Sequence, residues 1–561
     1  MTPKLSNPKT IESLLSGVDP SGIADETTRR TVETLLNVVE QLASEVARLG
    51  AENQQLRDEN NRLKGEQGKP AIKGKRKSGP DHSSESERHT PKPHNKSSKN
   101  EGLPIDREQI IEYPRDQLPA DAEFKGYAEV LVQDLKVTRA NVLFRKEKYY
   151  SRSEGKTYVA ALPVGYSGEF GPGLKAFVIS LYYGGNMTQG KLLGFLRDLG
   201  ISISAGYLAN LLITPPAEFA LEQSAVYAAG LESSPWHHFD QTGARVGGVN
   251  YTANVICNPL YTVYSTTAKK DRLSVLSCLQ PPFQALQFSL NPLTMVLLEA
   301  FQLPQKWQTA LTPLLQTPSL SATDLNQLLD QHLPELGPQL RTRVLEAAAM
   351  AFYQQQANWP RVRTLVSDDA PQFKLLTETL ALCWVHEGRH YKKLTPVVAV
   401  HRRLLDQFLD DFWDYYRALL AYREAPTLAV ASTLRAQFDR LFDSVSGYEQ
   451  LDERKRLTAA KVSELLLVLE HPELPLHNNP AELAARTLVQ RRNISYATQT
   501  PAGTKAWDIF MSLVDTTRKL GVSFFHYVSD RIMQAQNIPP LADTIRERAA
   551  QNPLGDSWLS T

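Results

Sequence analysis

Three carboxylates are placed where chemistry could be done. Asp240 closes the strand-like run Trp236-His-His-Phe-Asp240, and Asp368 follows the run Val362-Arg-Thr-Leu-Val-Ser367. Glu482 opens a helix, otherwise lined with arginine, in His477-Asn-Asn-Pro-Ala-Glu-Leu-Ala-Ala-Arg486. Aspartates at strand ends face the crevice in which open α/β sheets bind ligands. Three such acids could share hard metal ions, and beside a basic surface they point to metal-dependent chemistry on nucleic acid.

Each residue also has a plainer reading. An aspartate after a strand is commonly a turn residue. Asn479 suits an N-cap, Pro480 the first helical position and Glu482 the third, close to a capping box that needs no catalysis. Asp369 competes with Asp368 as the second acid. Arg486 shares the face of Glu482, and Arg491 and Arg492 extend the basic surface. Guanidinium forks suit phosphate oxygens, with pairing to the chain's own acids as the alternative. Cys383, His386 and His390 sit at i, i+3 and i+7, but a structural zinc site collects four ligands and here a single cysteine is at hand.

The elements that must position these residues follow from pattern. Runs 236–240, 251–257 and 261–265, joined by Gly and Asn-Pro turns, predict an antiparallel meander. Runs 362–367 and 380–384 predict two more strands, and 128–133 and 142–150 are strand-like as well. Residues 274–358 and 396–470, the latter including Leu404–Ala421, have helical periodicity and read as insertions between the acids. Thr188–Gly200 ends in a glycine cap and Ser202–Leu212 starts behind a serine, a helix, turn and helix layout. Lys191 and Asn210 are its candidate DNA contacts. Leu35, Leu42, Leu49, Leu56 and Leu63 repeat every seven residues, with Val32, Val39, Val46, Asn53 and Asn60 at the a positions. Glu52 and Glu59 at g oppose Arg57 and Lys64 at e, the pattern of a parallel two-stranded coiled coil.

Composition excludes several classes. At 561 residues with 42% hydrophobic content the chain should form several domains, and its net charge of +1 argues neither for nor against nucleic acid. Three scattered cysteines make no disulfide framework. The start lacks a charged-then-apolar signal and no run of about eighteen apolar residues occurs, so a cytoplasmic protein without a membrane span is expected.

Phe239-Asp-Gln-Thr-Gly-Ala-Arg-Val246, Val366-Ser-Asp-Asp-Ala-Pro-Gln-Phe373, Leu382-Cys-Trp-Val-His-Glu-Gly-Arg389 and the Glu482 segment occur in that order. With Phe170-Gly-Pro-Gly-Leu-Lys175 and Gly521-Val-Ser-Phe-Phe-His-Tyr-Val528, they resemble bacterial DDE transposases of the insertion sequence sixty-six family over about 165–530. The resemblance implies an α/β, RNase H-like mixed-sheet catalytic core with large helical insertions. Asp240, Asp368 and Glu482 would hold two Mg²⁺ ions, with Mn²⁺ as a substitute, and His386, Asp369 and Asn479 would flank the active site. It also implies binding to double-stranded DNA, both the element's terminal repeats and the target, with cleavage and strand transfer; accessory transposition proteins are common in the family. The location would be cytoplasmic and nucleoid-associated. A DNA-binding relative without catalysis, or an RNase H-like nuclease that does not join strands, are the alternatives. Two departures stand out: residues 65–120 lack the cysteine-rich module of many relatives, and the first insertion exceeds the usual pattern.

The expected organisation is a disordered N-terminus (1–28), a leucine-zipper coiled coil forming a homodimer through 30–64 (domain 29–64), and a flexible basic linker (65–118). A mostly helical DNA-binding region (119–230) follows. The catalytic core comprises 231–273, 360–395 and 474–535, interrupted by helical insertions 274–359 and 396–473, with a C-terminal tail at 536–561.

Overall fold

The computed structural model describes residues 15, 17–63, 103–166, 168–281, 284–315 and 317–554. The expectations for 1–14 and for most of the basic linker lie outside the described residues. Within 17–28, Pro20–Gly22 forms a 3-10 turn, and Asp19 pairs with Arg403 at 2.7 Å.

A long helix, Glu26–Leu63, is followed after the undescribed stretch by a chain with no strand before β1 (Lys148–Ser151), which pairs with β2 (Lys156–Val159). The strand expected at 128–133 is therefore absent, and only the end of 142–150 is extended into a ladder. These residues alternate too weakly, and lack an apolar neighbour to pack on: Val130 and Val132 are both exposed.

The meander forms, followed by two parallel strands. β3 (Trp236–Val246) turns through Gly247 and Gly248 into β4 (Val249–Asn258), which turns into β5 (Tyr261–Thr267). Both glycines have positive φ, 55° and 82°, as tight hairpin turns require. After a small hairpin of β6 (Phe288–Leu290) and β7 (Thr317–Leu320) come β8 (Thr364–Ser367) and β9 (Thr379–Leu382). The central sheet runs β5-β4-β3-β8-β9, antiparallel on one side of β3 and parallel on the other. β3 does not end at Asp240: pairing with β4 carries it to Val246, although its parallel pairing with β8 stops at His238. β9 is shorter than expected, because Trp384 already belongs to the helix Trp384–Lys392.

Among the described residues two large cores divide the molecule, with a small third cluster of Trp236, Val366, Ala381, Leu467, Leu474 and Leu554. One joins the sheet to helices Pro172–Ile179, Gln189–Asp198, Ala205–Ile213, Ala217–Glu232, Pro338–Gln355 and Pro501–Lys519. The region expected to be a separate DNA-binding unit is thus, from residue 172, part of the same packed body as the central sheet. The same holds for the first insertion, whose helix Pro338–Gln355 buries Val344, Ala347, Ala348 and Met350. The expected C-terminal tail contains the helix Leu541–Gln551, packed on Ala217–Glu232 with Leu541, Ala542 and Ile545 buried. The second core is the expected helical insertion: Ala399–Glu424, Leu428–Asp443 and Glu449–Ala459 pack with Trp384–Lys392 around Trp384, Phe412 and Tyr448. Among the described residues no helix is long and apolar enough to cross a membrane.

Candidate metal-binding carboxylate site

Sheet register brings two acids together. His238 pairs with Val366 across the parallel β3–β8 ladder, so Asp240 and Asp368 each lie two residues further on, on one face of the pleat. Ser367 pairs with Leu382 of β9, and Cys383 N–H continues the ladder to Ser367 O at 3.0 Å.

Glu482 is delivered by a latch rather than by a capping box. The helix is Asn479–Ser495, with Asn478 at the cap position and no side-chain cap bond. Asn479 is therefore already helical, and Glu482 N–H bonds Asn478 O at 3.1 Å. The Asn478 side chain is drawn onto β3 instead: Nδ2 donates to Phe239 O (2.8 Å) and Oδ1 meets His238 Nδ1 (3.0 Å). Asn478 N–H points to Cys383 Sγ at 3.2 Å, and Trp384 N–H donates to Leu476 O at 2.9 Å. The start of the glutamate helix is thereby fastened to the ends of both β3 and β9, one turn before Glu482.

At the site, Arg389 grips Glu482 with both arms, Nη2 to Oε2 at 3.0 Å and Nη1 to Oε1 at 3.3 Å. Nη1 also reaches His386 Nε2 at 3.1 Å. A guanidinium only donates, so Nε2 accepts and neutral His386 carries its proton on Nδ1, which faces Glu482 Oε1 at 3.5 Å. Burial lowers the His386 pKa, against the pull of Glu482 and Asp368.

Asp240 carries the mark of crowded negative charge. Its pKa is pushed up to about 6, first by burial and then by Asp368 and Glu482, against the Gln241 N–H (2.7 Å) and Lys270. Asp369 turns the other way, pairing with Lys461 at 2.5 Å and Lys374 at 3.4 Å. Burial raises its pKa, but the two lysines outweigh that and hold it low. Lys461 also pairs with the buried Glu387, which Arg454 and Thr458 complete, so both acids of this neighbouring network are matched by cations.

Three carboxylates with an excess of negative charge fit a hard divalent cation through oxygen ligands. They couple electrostatically without adjoining donor atoms. Among the described residues, the three side chains whose ligand atoms do lie within 4.8 Å of one another are Cys383, His386 and Glu482, a set that omits His390. Burial pushes the Cys383 thiol up to about 12, which keeps it protonated at neutral pH.

The arginines divide. Arg491 is fully buried, donating to Tyr182 O (2.9 Å) and Met187 O (3.3 Å) and lying over the Tyr182 and Trp507 rings. It is a packing residue, removed from any DNA surface. Half-buried Arg492 donates to Gly243 O, and Arg486 is exposed one turn beyond Glu482. Lys191 and Asn210 are exposed on the helix pair, whose second member is capped by Ser204 rather than Ser202. Arg389 and Asn478 were not foreseen from sequence. Arg389 lies three residues after His386 on one helix, a spacing that places both side chains on one face.

The profile described as Transposase IS66 family matches residues 351–506, a span holding Asp368, His386, Arg389 and Glu482 but not Asp240. The chain is also 32% identical over 335 residues to the uncharacterized protein y4jO of Sinorhizobium fredii (strain NBRC 101917 / NGR234), covering 57% of this chain and 99% of that protein. No solved structure matches.

Proposed function

The chain belongs to the Transposase IS66 family, and from that premise we propose that it is a DNA transposase that binds the terminal repeats of an insertion sequence and catalyses strand cleavage and transfer. The proposed ligands of two Mg²⁺ ions, or Mn²⁺, are Asp240, Asp368 and Glu482 in an RNase H-like core. The observation that carries this reading is the adjacency of Asp240 and Asp368 across the β3–β8 register, with Glu482 latched over the same strand ends by Asn478. A sheet of three antiparallel strands extended by two parallel ones supports the fold assignment.

When bound, the divalent cations activate an oxygen nucleophile and stabilise the leaving oxygen of a phosphodiester. Asp240 and Asp368 hold their positions through the sheet, and Asp240 must lose its proton. Arg389 is the counterion of Glu482 in the DNA-free protein; with 40% of its side chain exposed, it is placed to exchange the carboxylate for a phosphate oxygen. His386, held in one tautomer by Arg389, presents Nδ1–H toward the same space. Arg486 extends the basic surface for backbone contacts that position the duplex.

The Glu26–Leu63 helix supplies the proposed dimer contact. Asn37 and Glu40 bond to the second insertion, while Leu35 (59%), Leu42 (61%), Leu49 (50%), Leu56 (65%) and Leu63 (78%) stay exposed. A second copy would cover that stripe, with glutamates at g opposing basic residues at e.

The test is incubation of purified protein with DNA carrying the element's ends, with Mg²⁺ or with chelator, scoring nicked and joined products. Wild type should give both with metal, and Asp240→Ala neither. Arg389's hold on Glu482 favours one competing reading, a DNA-binding relative without catalysis; duplex binding with no product under any metal condition would establish it. Nicks without joined strands would indicate a nuclease instead.

A further inference from the structure

The β1–β2 ribbon is a sheet with nothing beneath it. Of its residues only Ser151 is even partly covered, and Tyr149 (64%), Tyr150 (64%), Tyr158 (44%) and Val159 (51%) present large apolar groups to solvent. Tyr149 and Tyr158 are direct cross-strand partners. A lone two-stranded hairpin is marginal in water, and aromatic surface left open on both of its strands marks a contact surface.

The charge on this ribbon is one-sided. Residues 145–159 contain Arg145, Lys146, Lys148, Arg152 and Lys156 against Glu147 and Glu154. Both acids are occupied by tyrosine hydroxyls, Tyr149 to Glu147 at 3.0 Å and Tyr158 to Glu154. Among the described residues none of the five cations is ion-paired; Lys156 lies over the Tyr158 ring at 5.2 Å. The base of the ribbon is nonetheless anchored. Phe144 packs edge-on against Tyr166 with centroids 5.0 Å apart, and upstream Arg139 donates to Gly200 O at 3.3 Å, at the end of the helix Gln189–Asp198.

We propose that the β1–β2 ribbon is a docking surface for double-stranded DNA, its basic side chains on phosphates and its tyrosines against sugars and base edges. The major groove, about 12 Å wide, admits a two-stranded ribbon, and a cluster of cations around exposed rings is complementary to that polyanion. The proposal rests on the transposase reading for the source of the duplex. It places a DNA contact outside the helix pair and outside the basic face near Glu482.

The experiment uses full-length protein and fluorescence anisotropy with a labelled duplex carrying the element's ends, across a salt series, beside a single-stranded oligonucleotide of the same length. Lys148→Glu/Lys156→Glu should weaken duplex binding about 10-fold or more and flatten the salt dependence by about two ions. Tyr149→Ala/Tyr150→Ala should weaken it several-fold at unchanged salt slope. Both variants should melt with wild type, since the ribbon lies outside both cores. Equal duplex affinity and slope in wild type and both variants would overturn the proposal, as would tighter binding of the single strand. Ribbon-dependent duplex binding by a protein that never cuts would uphold the ribbon and sink the transposase reading; cleavage with ribbon-independent binding would do the reverse.

Discussion

Glu40 and Glu482 are both helix glutamates whose carboxylates reach a neighbouring element, and the protein treats them differently. Glu40, 4% exposed, accepts N–H bonds from Val397 (2.7 Å) and Val398 (3.1 Å) at the start of the helix Ala399–Glu424, and meets His401 Nδ1 at 3.2 Å. Fixed backbone donors at a helix N-terminus complete that anion, and the His401 ring is held in turn by stacking on Tyr448. Glu482 is instead held by a side chain that reaches solvent, Arg389, with His386 at the longer range of 3.5 Å. A carboxylate completed by backbone is structural. One completed by an exchangeable guanidinium beside two further acids is available to a ligand.

The contrast can be broken most sharply at the paired aspartates. Asp368→Asn should lower cleavage on the order of 10³-fold, whereas Asp369→Asn, which removes a partner of Lys461 and Lys374, should lower it less than about 10-fold. Equal losses in a gel-based nicking assay would reverse the assignment of the two. Next in size, Glu40→Ala leaves two buried N–H groups and His401 without their acceptor and should cost about 3 kcal/mol in denaturant unfolding. Glu482→Ala should stay within about 1 kcal/mol of wild type; a cost matching that of Glu40→Ala would show Glu482 to be structural.

Asp240 gives the pH dependence. Its folded pKa, about 6, lies above the ordinary 3.8, so the folded state binds the proton more tightly. That stabilisation is full below about pH 4 and is lost as pH rises through about 6. Asp240→Asn should therefore gain roughly 1–3 kcal/mol relative to wild type on going from pH 4 to pH 8 without metal. A pH-independent difference in melting would remove the charge crowding on which the site rests. The smallest expected change in stability belongs to the N-terminal helix. Leu42→Glu/Leu49→Glu should yield a monomer by light scattering at a stability within about 0.5 kcal/mol per chain, because both leucines are exposed. An unchanged dimer mass would dismiss the zipper.

Much of the sheet was readable from local pattern: alternation, and the Gly247-Gly248 and Asn258-Pro259 turns. What escaped depends on distant partners. β3 runs past Asp240 because β4 continues to pair with it, a fact held in β4's length rather than in residues 236–240. Asn479 has cap chemistry, yet Asn478 takes the cap position because its side chain is satisfied by Phe239 and His238, some 240 residues earlier. Arg491 reads as one of three basic residues on a helix, but its burial is set by Tyr182 and Trp507, which no helical period reveals. The helix Leu541–Gln551 was missed because its apolar side is narrow and its partner, Ala217–Glu232, lies far upstream.

The most direct measurement is on Glu482→Gln, which preserves shape and hydrogen-bonding reach while removing the charge. Mn²⁺ binding by calorimetry and nicking of the element's end DNA would be read on the same preparation as wild type. Joint loss of metal binding and of nicking, with melting and duplex affinity intact, is the expected result. Nicking by Glu482→Gln at the wild-type rate, or by wild type in excess chelator, would contradict the carboxylate site as the seat of catalysis.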